Sequence, residues 1–109
     1  MTATMTSHCA NDRIARVQAI ITNIGLGQIV AERKELSSNP RFPFKYVSIT
    51  DTGVTVVRSV DKTRIITMYV TTVRELIRVY DGRANVPDKM MHIVIQNERK
   101  YIRNGKTTL

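Results

Sequence analysis

Few side chains in this sequence can move a proton near neutral pH. His8 and His92 are the two histidines, Cys9 is the one thiol, and Tyr46, Tyr69, Tyr80 and Tyr101 add phenolic hydroxyls. Around them stand eleven arginines and six lysines. Such a set suits chemistry at a phosphate. Cutting an RNA strand without a metal needs a base for the ribose 2′-hydroxyl, an acid for the leaving 5′-oxygen, and cations for the charged phosphorane. A histidine, several Arg/Lys and a few Tyr/Thr hydroxyls are sufficient parts. His8 falls at the start of a helical stretch. The run Arg64-Ile65-Ile66-Thr67-Met68-Tyr69 is extended, and alternation puts Ile65, Thr67 and Tyr69 on one face and Arg64, Ile66 and Met68 on the other.

Other chemistries lack their residues. Gly25 and Gly27 stand without the further glycines and lysine of a phosphate-binding loop. One cysteine and two distant histidines make a structural zinc site a poor fit, so no metal and no cofactor is expected. The carboxylates are scattered, which disfavours a two-metal nuclease. Asp51, Asp61 and Asp81 sit where turns and helix ends favour aspartate. Cys9 beside His8 is no protease signature, because neighbours on a helix point apart.

Charge is the dominant global signal. Seventeen Lys/Arg against nine Asp/Glu give +8 at pH 7. Polyphosphates are the common target of such a surplus, and arginine adds bidentate contacts and stacking. The expected partner is a nucleic acid, RNA before DNA; a basic but merely solvated surface is the bland alternative. The lone cysteine points to a reducing compartment, and no stretch approaches a membrane span. A cytoplasmic protein with no membrane partner is expected.

The elements that must hold these residues follow from period and punctuation. Ala10, Ile14, Val17, Ile21 and Ile24 recur at helical spacing, with Ser7 as N-cap and Gly25 as stop. Gln28 to Leu36 reads as either a short helix or a strand. A loop over Ser37 to Pro43 follows. Lys45 to Thr50, Val54 to Val60 and Arg64 to Val70 read as three strands of an antiparallel meander. Thr72 and Glu75 have capping-box spacing for a helix to about Tyr80, with Gly82 beyond it. Pro87 opens a last helix that buries Met91, Val94, Ile95 and Ile102 and ends at Gly105. The fold class is α+β: an N-terminal helix, an antiparallel sheet of three or more strands, and C-terminal helices on one face. Residues 1–6 read as a loose arm, 7–105 as a single domain and 106–109 as a tail.

The segment Ser7-His8-Cys9-Ala10-Asn11-Asp12-Arg13 resembles the opening-helix pattern of His, a small residue, then Arg in the barnase-like, colicin-ribonuclease-like and RelE-like metal-independent ribonucleases. Ile65-Ile66-Thr67-Met68-Tyr69 is similar to the ending of their central strands. The resemblance covers about Ser7 to Tyr69. It implies an RNA-cleaving endoribonuclease of toxin, effector or phage type. His8 would supply acid/base chemistry, Arg13 would orient phosphate, and Thr67 with Tyr69 would hydrogen-bond the scissile region. Arg58, Lys62 and Arg64 would stabilise charge. The chain departs from the pattern by continuing past the last catalytic strand, and that segment could complete the core, form a homodimer or block the site.

Each of these residues has a plainer role beside the chemical one. His8 is equally an exposed polar residue near a helix start. Thr67 and Tyr69 are ordinary strand formers, and His92 reads as a surface or interface residue. Arg99, Lys100, Arg103 and Lys106 suit a helix C-terminus through the dipole, or a strip of phosphate contacts. The alternative to an enzyme is a non-catalytic nucleic-acid-binding or inhibitor protein of phage or mobile-element type, with a protein antagonist as a further partner. Phe42, Phe44 and Tyr46 alternate as a stacking platform would, although packing of the loop on the core explains them as well.

Overall fold

The structure, a computed structural model, describes the backbone of residues 7–37, 43–62 and 64–103, and the side chains of these except 7–14 and 103. The arm, the tail, the stop at Gly105 and most of the loop before Phe44 lie outside the described residues. So do the side chains of Ser7, His8, Ala10, Arg13, Ile14 and Arg103.

Helix α1 spans Ser7–Ile24. It ends at Gly25, whose φ of 83° is one that L side chains avoid, while Gly25 N–H donates to Ile21 O at 2.9 Å. Its buried side is Val17 and Ile20, with Ile21 partly covered; Ile24, expected on the stripe, is 60% exposed.

Strand β1 is Ile29–Leu36, β2 Phe44–Thr50, β3 Val54–Ser59 and β4 Ile65–Val70. They pair in chain order, each antiparallel to the next. The segment that sequence left between helix and strand is therefore the outer strand β1. Two short turns set the register of the rest. At the β2–β3 turn Gly53 has φ 88°, and a Cβ there would meet Asn97 Nδ2 at 2.3 Å. That amide donates to Thr52 O at 2.9 Å, so the close approach docks the C-terminal helix on the turn.

Helix α2 is Val73–Val79 and α3 is Asp88–Asn97, with a short 3₁₀ turn at Arg83–Asn85 between them. Thr72 caps α2, its Oγ1 accepting from Glu75 N–H at 3.1 Å. Another N–H of the first turn is met from the C-terminal segment: Val73 N–H donates to Glu98 Oε2 at 2.9 Å. Pro87 occupies the N-cap of α3, which buries Met90, Val94 and Asn97; of the expected stripe Val94 is fully buried and Met91 packs partly against the same core. A π-helical turn, Glu98–Arg103, then follows. Its wider winding shifts the phase of the side chains, and Tyr101 and Ile102 pack against the α1 cluster instead of continuing the α3 stripe.

Two cores sandwich the sheet. Val47, Ile49 and Val57 face Leu76 and Val79 of α2 and Met90 and Val94 of α3. Val54, Val56 and Val70 face Val17 and Ile20 of α1. Because Val56 and Val57 are adjacent on one strand, these cores lie on opposite faces. The C-terminal helices α2 and α3 share one face, and α1 takes the other. Burying a side chain such as Leu76, fully enclosed here, is worth about 2 kcal/mol. Among the described residues no helix is long and apolar enough to cross a membrane, and no group of three or more His, Cys, Asp or Glu could hold a metal ion.

Candidate functional site

The face that carries α1 is covered unevenly. Register sets Leu36 opposite Phe44, Lys34 opposite Tyr46, and Glu32 opposite Ser48. It continues with Tyr46 opposite Arg58, Ser48 opposite Val56, and Val56 opposite Met68. All these residues therefore share the α1 face. The helix covers its β3–β4 half through Val56, Met68 and Val70. Over β1 and β2, Leu36 is 75% and Phe44 40% exposed. This open half is an aromatic and basic surface.

Lys34 Nζ lies 4.6 Å from the Phe44 ring centroid, and Lys62 Nζ lies 4.5 Å from that of Tyr46. Both cations sit within cation–π range, worth about 0.5–1 kcal/mol each at exposed sites. Lys62 reaches its ring from the β3–β4 turn, where its own φ is 62°. Beside Tyr46, Glu32 takes three donors: Ser48 Oγ at 2.8 Å, Arg58 Nη2 at 2.5 Å and Lys62 Nζ at 2.7 Å. Partial burial raises the Glu32 carboxyl, but the hydrogen bonds from Lys62, Ser48 and Arg58 outweigh it and hold the group below its ordinary value.

The opposite face carries a different network. Arg78 bridges Glu35 of β1 and Glu75 of its own helix. Arg33 Nη1 donates to Arg78 O at 2.6 Å and lies 3.9 Å from Asp81. Tyr69 Oη donates to Glu75 Oε2 at 3.1 Å. Burial first, and the charge of Arg33 second, lower the Arg78 guanidinium below its usual value. This network ties β1 to α2 and leaves no surplus of positive charge.

The residues singled out from sequence fall into separate groups. Thr67 pairs with Val57 on the α2–α3 face, and Tyr69 is engaged there with Glu75. His8 and Arg13 belong to α1, and their side chains lie outside the described residues; the described side chains of that helix, Val17, Ile20 and Ile21, pack on the other face. Arg58 and Lys62 do come together, at Glu32. Arg64 is exposed in the β3–β4 turn, and Arg99 and Lys100 are exposed on the π-helical turn. His92 is exposed on α3. Asp51 accepts from Gln28 N–H and Asp61 from Ser59 Oγ, and Asp81 has φ 61°, so all three do the work of turn residues.

Sequence reasoning missed Lys34, Glu32 and Ser48 altogether. It saw the alternation of Phe44 and Tyr46, yet not that the pair faces away from the α2–α3 core, on the open half of the α1 face. The signal for that was present: β2 also carries Val47 and Ile49 at the intervening phase, so its aromatic face cannot be the one packed under α2. No family model, no curated protein and no solved structure matches this chain, so the resemblance to metal-independent ribonucleases rests on the quoted residues alone.

Proposed function

We propose that this protein binds single-stranded nucleic acid, RNA before DNA, on the open half of the α1 face, without cutting it. The observation that carries the reading is the pairing of Phe44 and Tyr46 on one strand with Lys34, Arg58 and Lys62 around them. Flat rings on a sheet offer stacking surfaces for unpaired bases, and neighbouring cations meet the backbone. The net charge of +8 supports the same partner. Binding is favoured over cleavage because Thr67 and Tyr69 lie on the α2–α3 face, Tyr69 donating to Glu75, away from the open aromatic and basic surface.

Fluorescence anisotropy with a short labelled RNA strand tests this. Three phosphate contacts from Lys34, Arg58 and Lys62 predict a log–log salt slope of about −2 on a single strand. Phe44→Ala and Tyr46→Ala should each weaken binding. Absence of binding even at low salt rejects the reading. Intact RNA after incubation in EDTA is expected; cleavage there would favour the endoribonuclease reading instead.

A further inference from the structure

The cluster around Glu32 has the form of an occupied anion site. Its donors converge from three elements: Ser48 of β2, Arg58 of β3 and Lys62 of the β3–β4 turn. Ser48 is fully buried, and its hydroxyl points at the carboxylate. We propose that Ser48, Arg58 and Lys62 form a phosphate-binding site that Glu32 fills in the free protein, and that a nucleic-acid phosphodiester binds there by displacing it. This deepens the single-strand reading and rests on it for the identity of the ligand.

Three observations carry the step. The first is chemical likeness: a carboxylate and a phosphodiester each present two oxygens sharing one negative charge, and the same guanidinium, ammonium and hydroxyl donors serve both. The second is an unfilled donor. Arg58 Nε is buried with no hydrogen-bond partner among the described residues, although a buried N–H of this kind is nearly always satisfied. Two cations face one carboxylate, so Glu32 neither exhausts the donors nor balances the charge. The third is backbone. Lys62 holds its ammonium here from a left-handed φ of 62°, a conformation that costs a lysine and suits glycine. Its ammonium bridges Glu32 and the Tyr46 ring, which sets a phosphate beside a stacking surface.

A purely structural ion pair joining β1 to β3 makes the opposite prediction for removal of the carboxylate charge. The test uses the wild-type protein and Glu32→Gln, each checked by its melting curve, with inorganic phosphate and a single-stranded RNA as separate probes. Nitrogen–proton NMR follows the Arg58 Nε–H and the Ser48 amide. Removing the resident anion should tighten RNA binding about fivefold. Phosphate should shift the Arg58 Nε–H and the Ser48 amide at lower concentration in Glu32→Gln than in wild type, and adding Arg58→Lys should abolish the shift of the Ser48 amide.

RNA binding that is unchanged or weaker in Glu32→Gln, with no phosphate shift at Arg58, overturns the site and leaves the single-strand reading standing. A phosphate shift at Arg58 without any RNA binding supports the site and overturns that reading. Should Glu32→Gln fail to fold, the wild-type titration decides: shifts at Arg58 and Ser48 support the site. Equal shifts at Arg99 and Lys100, an adventitious ion only, overturn it.

Discussion

The two faces of the sheet each hold a network of charges, and the two are built differently. Under α2, Arg33 and Arg78 meet Glu35, Glu75 and Asp81, and Tyr69 completes the set. Every cation there has acids to answer it, and the network joins a strand to a helix. On the open half of the other face, the acid that Arg58 and Lys62 share among the described residues is Glu32, with Lys34 nearby and two aromatic rings beside them. Among the described residues no helix side chain packs on this second set. A balanced, bridging network serves cohesion; an unbalanced one left in solvent beside rings can serve a ligand.

Substitutions can break that contrast, and the largest effect is expected on the open face. Tyr46→Ala should weaken binding of single-stranded RNA by about 2 kcal/mol, roughly thirtyfold, since each stacked base contributes about 1–3 kcal/mol. The melting temperature should change little, because the ring lies outside both cores. Calorimetry of binding and unfolding on the same variant separates the two.

Arg78→Met should do the reverse. It leaves Glu35 and Glu75, whose side chains are 15% and 14% exposed, without their main cation. Arg78 itself is 42% exposed, so solvent screening reduces the cost to about 1–2 kcal/mol of stability. Denaturant unfolding measures that loss, while RNA affinity should hold. Loss of affinity with intact stability would mean the two faces are not separate in function.

Thr72→Ala removes the cap of α2, and about 1 kcal/mol of stability should go with it. This variant sharpens the comparison by weakening the α2 face without touching a charge. The smallest effect is on acid stability. Glu32 is held below its ordinary value, so its contribution is complete above the normal carboxylate range and is lost as pH falls through the depressed value. Glu32→Gln should flatten the acid limb of the stability curve slightly, as urea midpoints at a series of pH values would register.

Much of the fold was legible because its signals are local. The meander from Phe44 to Val70 announces itself through β-branched runs and two short turns, and Thr72 and Gly25 mark helix ends by their own chemistry. Segment 28–36 was not legible, since its charges in the middle fit a helix face as well as an edge strand. Sheet pairing with β2 decides it, and pairing is a long-range fact. The same holds for the surface proposed to bind. Lys34, Tyr46 and Arg58 stand in one row only because three strands align, and their separations in sequence carry no hint of it. Thr67 and Tyr69, on the α2–α3 face, illustrate the converse. Residue types that suit one reaction say nothing of which side of a sheet each will occupy.

Chemical-shift mapping of the whole protein with a short single-stranded RNA tests the central claim most directly. Shifts gathered on Lys34, Phe44, Tyr46, Ser48, Arg58 and Lys62, with Arg33, Glu35, Glu75 and Arg78 unmoved, are the predicted result. Shifts centred on the α2 face, or none at low salt, would contradict it.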